Sequence, residues 1–261
     1  MPFIKPRDVV LYYEYRAGHT DAPAIVFANS LGTDLRIWDA VIAALPADLT
    51  VLTMDKRGHG LSETAPLDMA ALARDVADVM AAHDLRQALV CGVSVGGMIA
   101  QQLAAAHPER VAGLILCNTG HRIGNADGWN GRIAALDSEG LEGIADGIIE
   151  RWFSPTFRAE KPIETAGYRT MLVRTPLDGY RRTCAAIRDT DLSEPTRSLR
   201  LPTLCIAGAE DQATPPALVE ELAGLIPGAR YQCFEGVGHL PCLEVPEALA
   251  SLIVDMHARL V

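Results

Sequence analysis

The chain has 261 residues, 49% of them hydrophobic, and carries 33 Asp and Glu against 23 Lys and Arg, for a formal net charge of -10. That length and apolar content suffice to bury one sizeable core, while an acidic surface repels phosphate backbones and anionic lipid, so neither nucleic acid nor a membrane surface is the expected partner. The six cysteines (Cys91, Cys117, Cys184, Cys205, Cys233, Cys242) lie far apart with no CxxC pair, which points to reduced thiols in a cytoplasmic protein, with no structural disulfide and no metal.

The start, Met1-Pro2-Phe3-Ile4-Lys5-Pro6, has no long apolar run, so neither a signal peptide nor a membrane span is expected. Val9 to Tyr13 reads as an early strand, and His19 falls in an expected hairpin turn after it. Ala24 to Ala28 is an unbroken apolar run of the kind a strand shows when covered on both faces. Leu49 to Met54, Ala88 to Cys91, Val111 to Leu116 and Thr203 to Ala207 read the same way, and Arg230 to Phe234 is a weaker last strand. Between them, Met69 to His83 places Leu72, Val76, Val79 and Met80 at helical spacing. Met98 to His107 does likewise, stopping before Pro108, and Glu247 to Leu260 closes the chain. Strands alternating with helices imply an α/β fold with a mostly parallel central sheet flanked by helices.

One stretch breaks this rhythm. From His121 to Glu194 the pattern is helical with breaks at Pro155, Pro162 and Pro176, and ten of the 23 Lys and Arg fall there. The expected organisation is therefore a core of residues 1–120 and 195–261 with a helical insertion at 121–194.

Gly92-Val93-Ser94-Val95-Gly96 lies between a buried strand and a helix. A serine on such a sharp turn is raised where a base can reach it, and the flanking glycines permit the tight backbone. A hydroxyl is a weak nucleophile near neutrality, so it needs a base, and the base needs an orienting group. His239, in Gly236-Val237-Gly238-His239-Leu240 just after the last strand, is the best placed of the seven histidines; His121, at the head of the insertion, is its rival. Asp211 follows the strand Thr203 to Ala207 and would lie on the same rim as Ser94, with Glu210 as its competitor. Acyl transfer also needs donors for a tetrahedral oxyanion. The backbone N–H groups of Val95, next to the serine, and of Leu31, in the loop Asn29-Ser30-Leu31-Gly32, are the candidates. Asp55-Lys56-Arg57-Gly58-His59-Gly60-Leu61-Ser62 also holds Asp, His and Ser. Groups so close in sequence seldom aim at one another, and this segment reads as a loop held by buried polar contacts.

Taken together, these residues resemble the α/β-hydrolase family across nearly the whole chain. The order Ser94, Asp211, His239 matches that family's order, and Arg57-Gly58-His59-Gly60-Leu61-Ser62 matches a stretch of it. The resemblance implies an α/β-hydrolase fold whose insertion at 121–194 is a helical lid. Within the family, several stretches resemble the 3-oxoadipate enol-lactonases: Phe27 to Asp34, which has Asn29-Ser30 where the wider family has His-Gly; Arg122-Ile123-Gly124 with Gly128-Trp129-Asn130; Glu150 to Phe153; and Cys184 to Asp189. This implies a cofactor-free hydrolase that opens a small lactone and releases 3-oxoadipate in aromatic catabolism. The implied substrate carries a carboxylate, for which Arg132, one helical turn after Trp129, is the first candidate, with Arg122, Arg151 and Arg188 as rivals. Trp129 would wall the lactone ring. The same triad also serves other small carboxylesterases, carbon–carbon bond hydrolases and cofactor-free perhydrolases, and related chains act as ligand-binding receptors. Oligomeric state is not legible from the sequence.

Overall fold

The computed structural model describes residues 2–19 and 22–261. Its centre is an eight-stranded sheet of order β1-β2-β4-β3-β5-β6-β7-β8. The strands are β1 (Phe3–Ile4), β2 (Leu11–Arg16), β3 (Ala24–Ala28), β4 (Val51–Met54), β5 (Ala88–Val93), β6 (Val111–Cys117), β7 (Thr203–Gly208) and β8 (Arg230–Phe234). β1 and β2 run antiparallel at one edge, and every pairing from β4 to β8 is parallel. All residues of β3, β4, β5 and β7 are buried, the physical counterpart of their unbroken apolar runs.

Helices cover both faces. They are α1 (Asp39–Ala44), α2 (Met69–Ala82), α3 (Val95–Ala106), α4 (Ala126–Trp152), α5 (Pro155–Glu160), α6 (Pro162–Val173), α7 (Leu177–Arg188), α8 (Ser193–Arg197), α9 (Pro216–Leu225), α10 (Pro241–Glu244) and α11 (Pro246–His257). Among the described residues no helix is long and apolar enough to cross a membrane.

Two local expectations change. The first long strand starts at Leu11, not Val9, because the main chain of Val10 is taken by the loop opposite: its N–H donates to Glu63 Oε2 and its carbonyl accepts from Glu63 N–H. The segment holding His19 is no hairpin turn, since β2 pairs with β4 rather than with β3. His19 N–H instead donates to the Asp48 carbonyl; residues 20 and 21 lie outside the described set.

Helices α4 to α8 occupy the stretch between β6 and β7, with no strand among them. The prolines act as helix starts, as a residue without an N–H should: Pro155 opens α5, Pro162 opens α6, and Pro176 caps α7. α4 is kinked at Gly140, whose φ of 67° suits only glycine. The insertion is fastened to the core's loops: Trp152 O accepts from His239 N–H (2.8 Å), Ser154 Oγ donates to Glu244 Oε2 (2.6 Å), and Thr175 Oγ1 donates to Gly32 O (3.3 Å).

Candidate active site

β5 delivers Ser94 to the turn into α3. The serine adopts φ 59° and ψ -123°, a left-handed conformation that a side chain rarely takes. The turn closes because Gly92 and Gly96 lack side chains: a Cβ on Gly92 would stand 2.3 Å from Gly96 O, and one on Gly96 2.0 Å from Ala28 O. The backbone is held on both sides, by Ser94 N–H to Cys117 O (3.0 Å) and Thr119 Oγ1 to Ser94 O (2.6 Å). This bend also moves the start of α3 up to Val95, three residues earlier than its periodicity suggests.

Asp211 lies just past β7 and His239 past β8. Their contact is His239 Nδ1 to Asp211 Oδ2 at 2.8 Å, with Asp211 4% and His239 2% exposed. The aspartate is heavily partnered: Oδ1 accepts from the N–H groups of Ala213 (2.7 Å) and Thr214 (3.0 Å), and Oδ2 accepts from Thr214 Oγ1 (2.6 Å) and Asn118 Nδ2 (2.8 Å). Burial alone would raise its carboxyl, but the charge of His239 and the hydrogen bonds from His239 and Thr214 outweigh that and hold it below the usual carboxylate value. An ionised Asp211 only accepts, so His239 carries its proton on Nδ1 and leaves Nε2 for a substrate or nucleophile. Glu210 is exposed, and its N–H is bound to Val237 O. His121 sits 3.9 Å from Glu221 and does not border the cavity that holds Ser94 and His239.

That cavity, about 170 Å³, is bordered by Ser94, His239, Leu31, Trp129, Arg132 and Arg151, among others. Trp129 is fixed by its Nε1 donating to Ile123 O (2.7 Å). Arg132 Nη1 donates to the buried hydroxyl of Tyr180 (3.1 Å), which burial keeps neutral by pushing its pKa up. Arg151 Nη2 reaches Gln212 O at 3.3 Å. Burial and the neighbouring Arg132 charge lower the Arg151 pKa. Neither arginine has a carboxylate within ion-pair distance among the described residues, whereas Arg158, Arg169, Arg181, Arg182 and Arg188 of the same insertion all do. Arg188 grips Asp189 and Asn130, and neither it nor Arg122 borders the cavity. Leu31 borders it and Val95 does not, although Val95, as first residue of α3, has an N–H with no intrahelical acceptor.

The loop from Asp55 to Ser62 is spent on structure. Asp55 accepts from Leu35 and Leu61 N–H (2.8 Å each), Ser62 Oγ donates to Asp55 O (2.6 Å), and Arg57 clasps Asp75 through two bonds of 2.6 Å. His59 Nε2 accepts from Gly32 N–H (3.1 Å); burial, with the nearby Lys56 charge, depresses its pKa well below the usual value.

Sequence reading missed three supporting residues. Asn118 bridges Asp211 Oδ2 and Gly238 O, both at 2.8 Å. Thr214 braces the aspartate, and Glu244 accepts from Gly238 N–H (3.0 Å), fixing the residue before the histidine. Asn118 could have been found: it is a polar residue directly past the C-terminal end of β6, the same criterion that selects Asp211.

No group of three or more His, Cys, Asp or Glu able to hold a metal occurs among the described residues. Residues 23–246 match the α/β hydrolase fold family. The chain is 34% identical over 255 residues to 3-oxoadipate enol-lactonase 2 of Acinetobacter baylyi, covering 97% of this chain and 95% of that one. It is 35% identical over 242 residues to enol-lactonase 1 of the same organism, covering 90% and 88%. Among solved structures, the enol-lactonase from Burkholderia xenovorans superposes with a TM-score of 0.94 at 36% identity, covering 98% of this chain and all of that one. By fold, strand order and sequence, the chain belongs to the α/β hydrolase family.

Proposed function

We propose that the protein is an enol-lactone hydrolase acting on 3-oxoadipate enol-lactone, with Ser94 as nucleophile, His239 as base and Asp211 as the group that orients the base. The observation that carries this reading is the cavity itself. Its lining combines Ser94 and an Asp211-backed His239 with two arginines that have no carboxylate partner among the described residues. A plain ester hydrolase has no need of unpaired cations at its pocket; a substrate with a free carboxylate does. The similarity to enol-lactonases over nearly the full length supports the same choice.

In this reading Ser94 Oγ attacks the lactone carbonyl while His239 Nε2 takes its proton. The N–H groups of Leu31 and Val95 receive the charge that develops on the carbonyl oxygen. Collapse breaks the bond to the ring oxygen, which leaves as an enol after His239 returns the proton, and the enol becomes a ketone. Water, deprotonated by His239, then frees the acyl group as 3-oxoadipate. Helices α4 to α7 act as a lid, with Trp129 against the ring and Arg132 on the carboxylate. No cofactor takes part.

The test is a product-resolved assay of the enol-lactone beside 4-nitrophenyl acetate and butyrate. A kcat/KM at least about 100-fold higher for the lactone, equivalent to about 2.7 kcal/mol of preferential transition-state binding, is expected. Equal or better hydrolysis of the simple esters would assign the pocket to a general carboxylesterase.

A further inference from the structure

The loop after β3 is pinned at several of its polar main-chain atoms. Gly32 N–H donates to His59, Gly32 O accepts from Thr175, Thr33 O accepts from Lys56 Nζ (3.2 Å), and Leu35 N–H donates to Asp55. Ser30 O accepts from three donors: Lys56 Nζ at 2.6 Å, Thr33 Oγ1 at 3.0 Å and Thr33 N–H at 3.4 Å. The N–H of Leu31 has no partner among the described residues.

Ser30 C=O and Leu31 N–H belong to one peptide unit. That unit is planar and trans, so its carbonyl and its N–H point in opposite directions. Whatever holds the carbonyl therefore aims the N–H. Lys56 is buried, 5% exposed, with no carboxylate within ion-pair distance among the described residues. Burial lowers the Lys56 pKa to about 7, with the charges of Asp55 and Asp34 pulling the other way, so the ammonium form prevails below that pH, and the residue spends its donors on the carbonyls of this loop. A cation on a carbonyl oxygen also draws electron density through the amide and makes the N–H at its other end a stronger donor.

We infer that Lys56 is a positioning residue of the oxyanion site: through the Ser30 carbonyl its buried ammonium fixes and polarises the peptide whose Leu31 N–H receives the oxyanion. The inference rests on the catalytic reading above, and the two fail separately. Loss of turnover in Ser94→Ala upholds that reading whatever Lys56 does.

The experiment compares wild type with Lys56→Met, which keeps the length of the chain but removes the charge and donors. Steady-state kinetics use 4-nitrophenyl acetate at about pH 6, below the Lys56 pKa of about 7. Inhibition uses phenyl trifluoromethyl ketone, which adds the serine and places an alkoxide in the oxyanion site. Removing one oxyanion donor outright costs about 100- to 1000-fold in kcat, so misdirecting one should cost about 10- to 100-fold. KM should stay within about threefold, and affinity for the ketone should fall in step with kcat. Should Lys56→Met fail to fold, Lys56→Gln keeps a neutral donor without charge and should show the same paired loss at smaller size. An unchanged kcat in a folded variant overturns the inference. So does a rise in KM with no loss of ketone affinity, because a brace with a purely structural role would not act on the alkoxide alone.

Discussion

The molecule holds two sets of Asp, His and Ser, and on the proposed reading they serve opposite uses. Asp55, His59 and Ser62 sit within eight residues of one another, and their hydrogen bonds run to main chain: Asp55 to Leu35 and Leu61, His59 to Gly32, Ser62 to Asp55 O. Asp211 and His239 come from loops 28 residues apart and meet at 2.8 Å, with Ser94 of a third loop on the same cavity. In the first set no group borders that cavity: Asp55 and Ser62 are bound to main chain, and His59 is held on Nε2 while its unpartnered Nδ1 is buried. In the second, Asp211 is saturated, His239 is held on one nitrogen, and the face toward the cavity is left for chemistry. On the proposed reading, what separates the catalytic histidine from the structural one is thus a free nitrogen on the cavity that holds the serine, not the company of an aspartate and a serine.

Mutation should expose this contrast first in rate. Ser94→Ala should lower turnover by about 10^4-fold or more. His239→Ala should be equally inactive, while folded His59→Ala should keep the chemical step within about tenfold. Kinetics of both histidine variants, normalised to folded protein by circular dichroism, decide between the two sets; an active His239→Ala beside an inactive, folded His59→Ala would reverse their roles.

In stability the order should invert. The Arg57–Asp75 pair is almost fully buried, with side chains 3% and 1% exposed, and removing one partner of such a pair typically costs about 3 to 5 kcal/mol. Arg57→Ala should therefore shift the urea midpoint strongly downward and leave kcat of the remaining folded protein near wild type. A loss of kcat without loss of stability would give this ion pair a part in the chemistry.

A third contrast lies among the arginines of the insertion. Arg132→Ala should cost an acidic lactone about 2 to 5 kcal/mol in transition-state binding and leave a matched neutral lactone nearly unchanged. Arg188→Ala, whose partner Asp189 lies outside the cavity, should affect neither. Equal losses for the two lactones would remove carboxylate recognition from Arg132. Arg151, also on the cavity, is the next residue to substitute.

The smallest expected effect concerns pH. Asp211 has a folded pKa below its unfolded value, so the unfolded chain binds the extra proton. Its contribution to stability is complete above the ordinary carboxylate value near 4 and is lost as pH falls through the lower folded value. Urea unfolding from pH 6 down to pH 3 should thus weaken wild type more steeply than Asp211→Asn, and parallel curves would contradict the assignment.

Much of this was readable before the fold was seen, for a reason that particular residues make clear. β3 and β8 fall at the expected bounds because local apolar runs mark them. Ser94 directly follows β5, and Asp211 and His239 lie three and five residues past β7 and β8; in a parallel sheet such positions share one rim. Asn118 satisfied the same rule, directly past β6, whereas Thr214, Glu244 and Lys56 were not readable as site residues. Their importance lies in partners elsewhere, such as Lys56 with Ser30 and Glu244 with Ser154, 26 and 90 residues away, and no local pattern encodes those contacts. The same holds for Arg132 and Arg151: sequence supplied several arginines in the insertion, and only packing decided which of them would lack a carboxylate.

The most direct test of the account is to label the nucleophile. Wild-type protein treated with a fluorophosphonate, digested and mapped by mass spectrometry, should carry one phosphonyl group on the peptide containing Ser94. Labelling should fall to background in Ser94→Ala and in His239→Ala, while Ser62→Ala labels normally. A modified Ser62, or an enzyme that stays fully active with Ser94 occupied, would contradict it.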